Sequence, residues 1–185
     1  MEDLSLHILD IIQNSIDASA KNIEITIVDN KRDNILFIEI KDDGRGMNEE
    51  ILKKVEDPFY TTKSKKTGLG IPLLKQAALE TEGKFTITSI PFKGTSIKAT
   101  FRRDHIDRKP LGDMASTIVA AILLCPECHF RFSYKSVKLT GEEESFIFDT
   151  EELRAKLEDI PVNAPPVLKF IKEYLKEELK RLKDE

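Results

Sequence analysis

The chain has 185 residues, 29 of them basic and 33 acidic, with 40% apolar and 34% charged side chains, two Cys and no Trp. That length buries a substantial core, and a net charge of −4 argues against a nonspecific nucleic-acid binder, which needs a basic surplus. The longest apolar run, 118–125, is too short for a bilayer span, the opening Met1-Glu2-Asp3 is acidic where a secretory signal is basic, and two cysteines make no disulfide framework. A cytoplasmic protein with reduced thiols and no membrane partner is the expectation.

The spacing of Leu4, Ile8, Ile11, Ile12, Ile16 and Ala20 predicts a helix over 4–20. Ile23, Ile25 and Ile27 alternate along a strand at 22–29. A second strand, 34–41, is more continuously apolar, with Leu36, Ile38 and Ile40 on one face and Ile35 and Phe37 on the other, which suits burial on both sides. The polar link 30–33 makes these two an antiparallel hairpin. After the Gly-rich turn Asp42-Asp43-Gly44-Arg45-Gly46, a short helix is expected over 47–56, capped by Asn48 with Glu49 and Glu50 in its first turn.

A polar stretch over 58–67 carries Lys63, Lys65 and Lys66 and leads into Gly68-Leu69-Gly70, which opens a helix over 71–82. Strands at 84–90 and 95–102 form a second hairpin turning near Lys93-Gly94. This order predicts an α+β fold with antiparallel strands and helices on one face. Beyond Arg103 the character changes. A charged link over 104–110 ending in Pro precedes a helix at 113–124, strands at 130–137 and 145–149, and helices at 150–158 and 166–183. The part from Asp104 onward holds 13 basic and 17 acidic residues, and the first 103 residues are neutral.

Two turns carry chemistry. Asp42 lies at a strand end, where glycines permit close approach of a flat ligand, and a carboxylate there accepts the exocyclic amino hydrogens of adenine. Gly68-Leu69-Gly70 opens a helix whose free N–H groups and dipole suit phosphate oxygens, with Lys63, Lys65 and Lys66 just upstream. Asn14 lies in mid-helix, where an amide has poor propensity, and its oxygen is an acceptable ligand for Mg²⁺ that otherwise holds waters and phosphates.

The ordered set N-S-I-D-A, D-D-G-R-G, D-P-F-Y-T-T-K, T-G-L-G-I and Gly94-Thr95-Ser96 resembles the N, G1, F, G2 and G3 boxes of the GHKL superfamily of gyrase, heat-shock chaperone, histidine-kinase and MutL-type ATPases. The resemblance covers residues 1–101 and is closest to the histidine-kinase type. It implies the Bergerat fold, a two-layer α/β sandwich with a mixed, mostly antiparallel sheet, here followed by a C-terminal α+β extension. The division expected is a nucleotide domain at 1–103 and an accessory region at 104–185. The resemblance also implies ATP and Mg²⁺ as cofactors: Asn14 on the metal, Asp42 on the adenine amino group, and Gly44, Gly46 and Met47 around the base. Phe59 would begin a mobile lid that runs through Lys63 and Lys66 to Thr67, with Gly68, Leu69 and Gly70 on the phosphates and Thr95 near the base.

The departures bear on function. Four residues before the metal-binding Asn, hydrolysing members carry a Glu that activates water. Asp10 stands there, one methylene shorter, either as a less well reaching base or as a helix-face residue. The usual first Gly of the phosphate box is Lys66. The N box begins almost at the start of the sequence, and His7 lacks the acidic neighbour of a phosphoacceptor. Any phosphoryl transfer is therefore expected to reach a separate protein partner, as in the anti-sigma serine kinases. An ATP-gated switch or a slow ATPase is the alternative.

Cys125-Pro126-Glu127-Cys128-His129 is compatible with half a zinc site shared by a homodimer, with a redox pair, or with two plain thiols. The stripe Leu168, Ile171, Leu175, Leu179 and Leu182 on the last helix covers either its own core or a partner.

Overall fold

The computed structural model describes residues 3–55 and 69–183. Six strands form one sheet in the order β3-β4-β2-β1-β5-β6. They are β1 (Asn22–Asn30), β2 (Ile35–Asp42), β3 (Phe85–Ile90), β4 (Gly94–Arg102), β5 (His129–Val137) and β6 (Glu143–Asp149). Every neighbouring pair is antiparallel except β1 and β5. The helices are α1 (Leu4–Asp17), α2 (Glu49–Lys54), α3 (Gly70–Glu80), α4 (Met114–Leu124), α5 (Thr150–Leu157) and α6 (Pro165–Lys183). This is the two-layer α+β architecture that the alternating strand and helix patterns predict.

The sheet's inner face follows from strand alternation. Ile23, Ile25 and Ile27 lie beside Ile38 and Ile40 on β2 and beside Phe130, Phe132 and Tyr134 on β5, all fully buried. Burying each such aliphatic side chain contributes about 1.5–3 kcal/mol. α1 packs against both α3 and α4, and α4 packs against α6, so these helices lie side by side across that face.

β2 departs from the two-sided burial expected of it. Leu36, Ile38 and Ile40 are buried, but Ile35 is 41% exposed and Phe37 and Glu39 are only half-buried. The other face of the sheet instead carries polar pairings: Ser133 donates to Thr26 (3.1 Å), Ser96 donates to Glu39 (3.1 Å), and Lys98 lies 3.4 Å from Glu39.

The region beyond Arg103 continues the sheet. β5 lies parallel to β1 in a nine-residue register from Asn22 opposite His129 to Asn30 opposite Val137. The link between is fastened at both ends. Leu4 and Ser5 donate their N–H groups to Pro110 and Leu111, and Arg103 Nε donates to Asp29 at 2.6 Å. Tyr134, buried beneath, also hydrogen-bonds Asp29; burial first, then that carboxylate, raise its pKa. On α6, Ile171, Leu175, Leu179 and Leu182 are buried within the chain, while Phe170 stays exposed and stacks on Tyr174.

Cys125 and Cys128 form a disulfide, in place of the reduced pair expected from the cysteine count. The bond sits at the junction of α4 and β5, with Cys125 as the helix C-cap, and both residues are buried. Sulfurs joined to each other are not the thiolates a zinc site requires. No described helix is long and apolar enough to cross a membrane.

Candidate functional site

Asp42 ends β2, a central strand, opposite Ile23 on one side and Thr95 on the other. Its side chain lies on the same face as Ile40, towards the helices. Two donors fix the carboxylate: Gly44 N–H to Oδ1 at 2.9 Å and the Ser15 hydroxyl to Oδ2 at 2.7 Å. Ser15 is buried on α1, next in sequence to Asn14, so one hydrogen bond ties the carboxylate to the helix that carries the amide. A carboxylate has about four acceptor positions. With two occupied, Asp42 keeps capacity for an exocyclic amino group, and its pair of donors orients it in advance.

Two glycines mark close approaches of the backbone at this end of the sheet. Gly46 has φ +63°, and a Cβ there would stand 2.1 Å from the Ile90 carbonyl oxygen. Gly94 has φ +101°, and its Cβ would stand 1.9 Å from the Asp42 carbonyl oxygen. Only glycine fits either position. The turn after β2 and the turn between β3 and β4 are therefore pressed together. Ser89 joins them, accepting from Met47 N–H at 2.8 Å and lying 2.9 Å from Thr95 Oγ1. Phe92 N–H adds a bond to the Arg45 carbonyl at 2.7 Å. Gly44 packs on Ala18, whose carbonyl accepts from Arg45 N–H at 2.9 Å.

Asp10 and Asn14 are one turn apart on α1 and share a face. Asp10 is exposed and Asn14 half-buried. Gly70 begins α3 against this face: a Cβ on it would stand 2.6 Å from the Asp10 Cβ and 3.5 Å from Asp10 Oδ2. Leu69, the residue preceding α3, is half-exposed and offers no side-chain cap. The N–H groups of Gly70 and Ile71 stand at the start of α3, where Pro72 contributes none, and the Asp10 carboxylate lies beside Gly70.

The structure brings Asp10, Asn14, Asp42, Gly44, Gly46, Met47, Leu69, Gly70 and Thr95 to the end of the sheet where β2 finishes and to the adjoining seam between α1 and α3. Phe59, Lys63, Lys66, Thr67 and Gly68 lie outside the described residues. Ser15 and Ser89 were missed as individual contributors. Each stands inside or beside a recognisable motif, but a hydroxyl in a sequence does not announce its partner.

A second carboxylate at this end has a different task. Asp43 turns outward and accepts from Lys21 N–H (2.7 Å), Asn22 N–H (2.8 Å) and Asn22 Nδ2 (2.6 Å). Burial opposes its ionisation, but these donors outweigh burial and lower its pKa.

Residues 2–105, more than half of the chain, match the family model for histidine kinase-, DNA gyrase B- and HSP90-like ATPases. The chain belongs to this family. Among relatives, sporulation kinase C of Bacillus subtilis is 40% identical over 87 residues, which are 47% of this chain and 20% of that kinase. Sporulation kinase E of the same organism is 37% identical over 94 residues, 50% of this chain and 13% of that kinase. The chain thus spans no more than a fifth of the length of these two kinases. A crystal structure of the N-terminal domain of a DNA repair protein shares the fold, with a TM-score of 0.53 at 16% identity over 78% of this chain and 52% of the other. That coverage exceeds what residues 2–105 alone can supply, so the likeness in fold continues into the region beyond them.

Proposed function

We propose that this chain binds Mg-ATP through Asp42 and acts as a histidine-kinase-like regulatory protein that phosphorylates a separate partner protein. The observation that supports it most is the Asp42 carboxylate, held by Gly44 N–H and the Ser15 hydroxyl at the end of a core strand with acceptor capacity to spare. In this reading Asp42 takes the adenine amino group, with Gly44, Gly46, Met47 and Thr95 around the base. Asn14 holds Mg²⁺ together with waters and phosphates. Lys63, Lys66, Thr67, Gly68, Leu69 and Gly70 serve the phosphates, and Phe59 belongs to the lid. The metal, when bound, supplies neutralisation of phosphate charge; the protein contributes position and fixed donors rather than covalent chemistry. Residues 1–103 form the nucleotide module, and residues 104–185 relay its state to the partner.

Incubation with radiolabelled ATP and candidate partner proteins, those encoded beside this one first, tests the transfer. Label on a partner that vanishes with Asp42→Asn supports it. Tight ATP binding without label on any candidate points to the alternative, an ATP-gated switch or a slow ATPase. One observation favours slow hydrolysis: the Asp10 carboxylate stands at the Gly70 turn, which this reading assigns to the phosphates.

A further inference from the structure

Beyond the nucleotide pocket, at the same end of the sheet, an uninterrupted chain of polar contacts leads from the turn after β2 into the region past residue 105. Asp43 is its first link. Ionised, it can only accept, so the Asn22 amide must turn its NH₂ towards it (2.6 Å). The Asn22 carbonyl oxygen then faces the other way and lies 2.9 Å from His129 Nδ1. An amide oxygen also only accepts, so Nδ1 carries a hydrogen. The second ring nitrogen, Nε2, lies 2.9 Å from Asp149 Oδ1. Asp149 is the N-cap of α5, accepting from Glu151 N–H at 2.9 Å and from Glu152 N–H at 3.4 Å. Burial opposes its ionisation, but these N–H donors and His129 outweigh burial and lower its pKa. Nε2 therefore carries a hydrogen as well. Flipping the amide or the ring does not relieve the requirement, because a flipped amide would set oxygen against the Asp43 carboxylate and both ring nitrogens have acceptors.

We propose that His129 is a positioning residue for the nucleotide-binding turn, that it works as the imidazolium, and that ATP affinity consequently depends on its proton. The proposal rests on the reading of Asp42 as the adenine acceptor. Asp43 is the next residue after Asp42, and its grip on Asn22 and Lys21 fixes the backbone from which the Gly44 turn departs. His129 itself is anchored, with its side chain 20% exposed and its N–H donated to the Lys21 carbonyl at 2.8 Å. The remaining charges near the ring are Glu151, 3.9 Å from Nδ1, and Asp43 beyond Asn22. The Arg154 guanidinium is engaged with the carbonyls of Pro126 and Cys128. Loss of the proton leaves a bare nitrogen facing either the Asp149 carboxylate or the Asn22 carbonyl. The link between α5 and the nucleotide turn then fails at one joint.

The experiment compares Mg-ATP affinity of the wild type and His129→Asn over a pH series, with the protonation of the wild-type ring followed in parallel by nitrogen NMR. Both proteins see the same protonation of ATP, so the ratio of their affinities isolates the residue. The expected ratio is about fivefold in favour of the wild type where the ring carries both protons, at the modest end of coupling between linked sites, falling towards unity where it has lost one. A ratio that does not follow the ring's loss of a proton overturns the proposal. A wild type that binds no ATP at any pH of the series instead refutes the adenine reading of Asp42. Nitrogen NMR of the wild-type ring without nucleotide is independent of the variant's folding. Two protonated ring nitrogens are expected at the acid end of the series, and a neutral tautomer throughout overturns the proposal.

Discussion

Gly70→Ala sets two effects against each other, and their sizes decide the outcome. Gly70 is the first residue of α3, and replacing a helical glycine by alanine stabilises by about 1 kcal/mol on propensity alone. The new Cβ, however, would lie 2.6 Å from the Asp10 Cβ and 3.3 Å from the His7 carbonyl oxygen. A Cβ cannot swing aside as a flexible side-chain tip can, so α3 must move away from α1, whose Ile8, Ile11 and Ile12 are buried in the core. Overpacking of this kind costs about 1–3 kcal/mol, and the net expectation is destabilisation by about 0–2 kcal/mol. Asp10→Gly removes the atom in the way. In that background the same Gly70→Ala change should stabilise by up to about 1 kcal/mol, a coupling of about 1–3 kcal/mol between the two positions. Urea denaturation of the four proteins measures it. An equal effect of Gly70→Ala with and without the Asp10 side chain would refute the close approach of α3 to α1, and with it the placement of Asp10 beside the turn that opens α3.

Asp10→Asn is expected to leave ATP binding intact and to abolish slow phosphate release; turnover that persists in the variant removes Asp10 as the base. Reducing the Cys125–Cys128 disulfide, which closes a loop with only two intervening residues, should lower stability by about 2 kcal/mol on loop-entropy grounds, read as a shifted urea midpoint with and without reductant. An unchanged midpoint after confirmed reduction contradicts this. Arg103→Ala leaves Asp29, whose side chain is 15% exposed, without its 2.6 Å partner. The partly open site reduces the penalty to about 2 kcal/mol, measured in the same way. Asp113 caps α4, and although burial opposes its ionisation, the Ser116 hydroxyl and N–H, with Lys176 and Lys172, lower its pKa. A lowered carboxylate pKa gives stability that is present at neutral pH and lost as pH falls through the folded-state value. Asp113→Asn, which still caps, should flatten that acid limb by about 0.5 kcal/mol after allowance for solvent screening.

How much could be read in advance followed the range over which each signal acts. The local elements were legible: the isoleucine alternation of β1, the Asn48 cap whose oxygen accepts from Ile51 N–H at 2.9 Å, and the hairpin turning at Gly94. The ordered boxes pointed to Asp42, Asn14 and Gly70 because each needs a residue type that ordinary turns seldom require together. The parallel pairing of β5 with β1 was not legible. More than 90 residues separate the two strands, and a parallel neighbour leaves no turn signal between them. The open face of β2 misled because Ile35 and Phe37 look like core residues, although apolar side chains on a half-exposed strand are common. The disulfide was hidden for a different reason, since a Cys-x-x-Cys pair reads equally as ligand, redox pair or bare thiols. The chain Asp43, Asn22, His129 and Asp149 joins four segments that only the sheet brings together.

The adenine carboxylate is the central claim, and titration calorimetry of Mg-ATP into the wild type and Asp42→Asn tests it most directly. The amide can still accept from Gly44 N–H, and the Ser15 hydroxyl can reverse to accept from it, so the turn should stay folded. What disappears is a charged acceptor for the base, about 1.5–3 kcal/mol. The wild type is expected to bind and the variant to bind roughly 10- to 100-fold more weakly. Equal affinity in the two proteins, or no heat of binding from the wild type, would contradict the account.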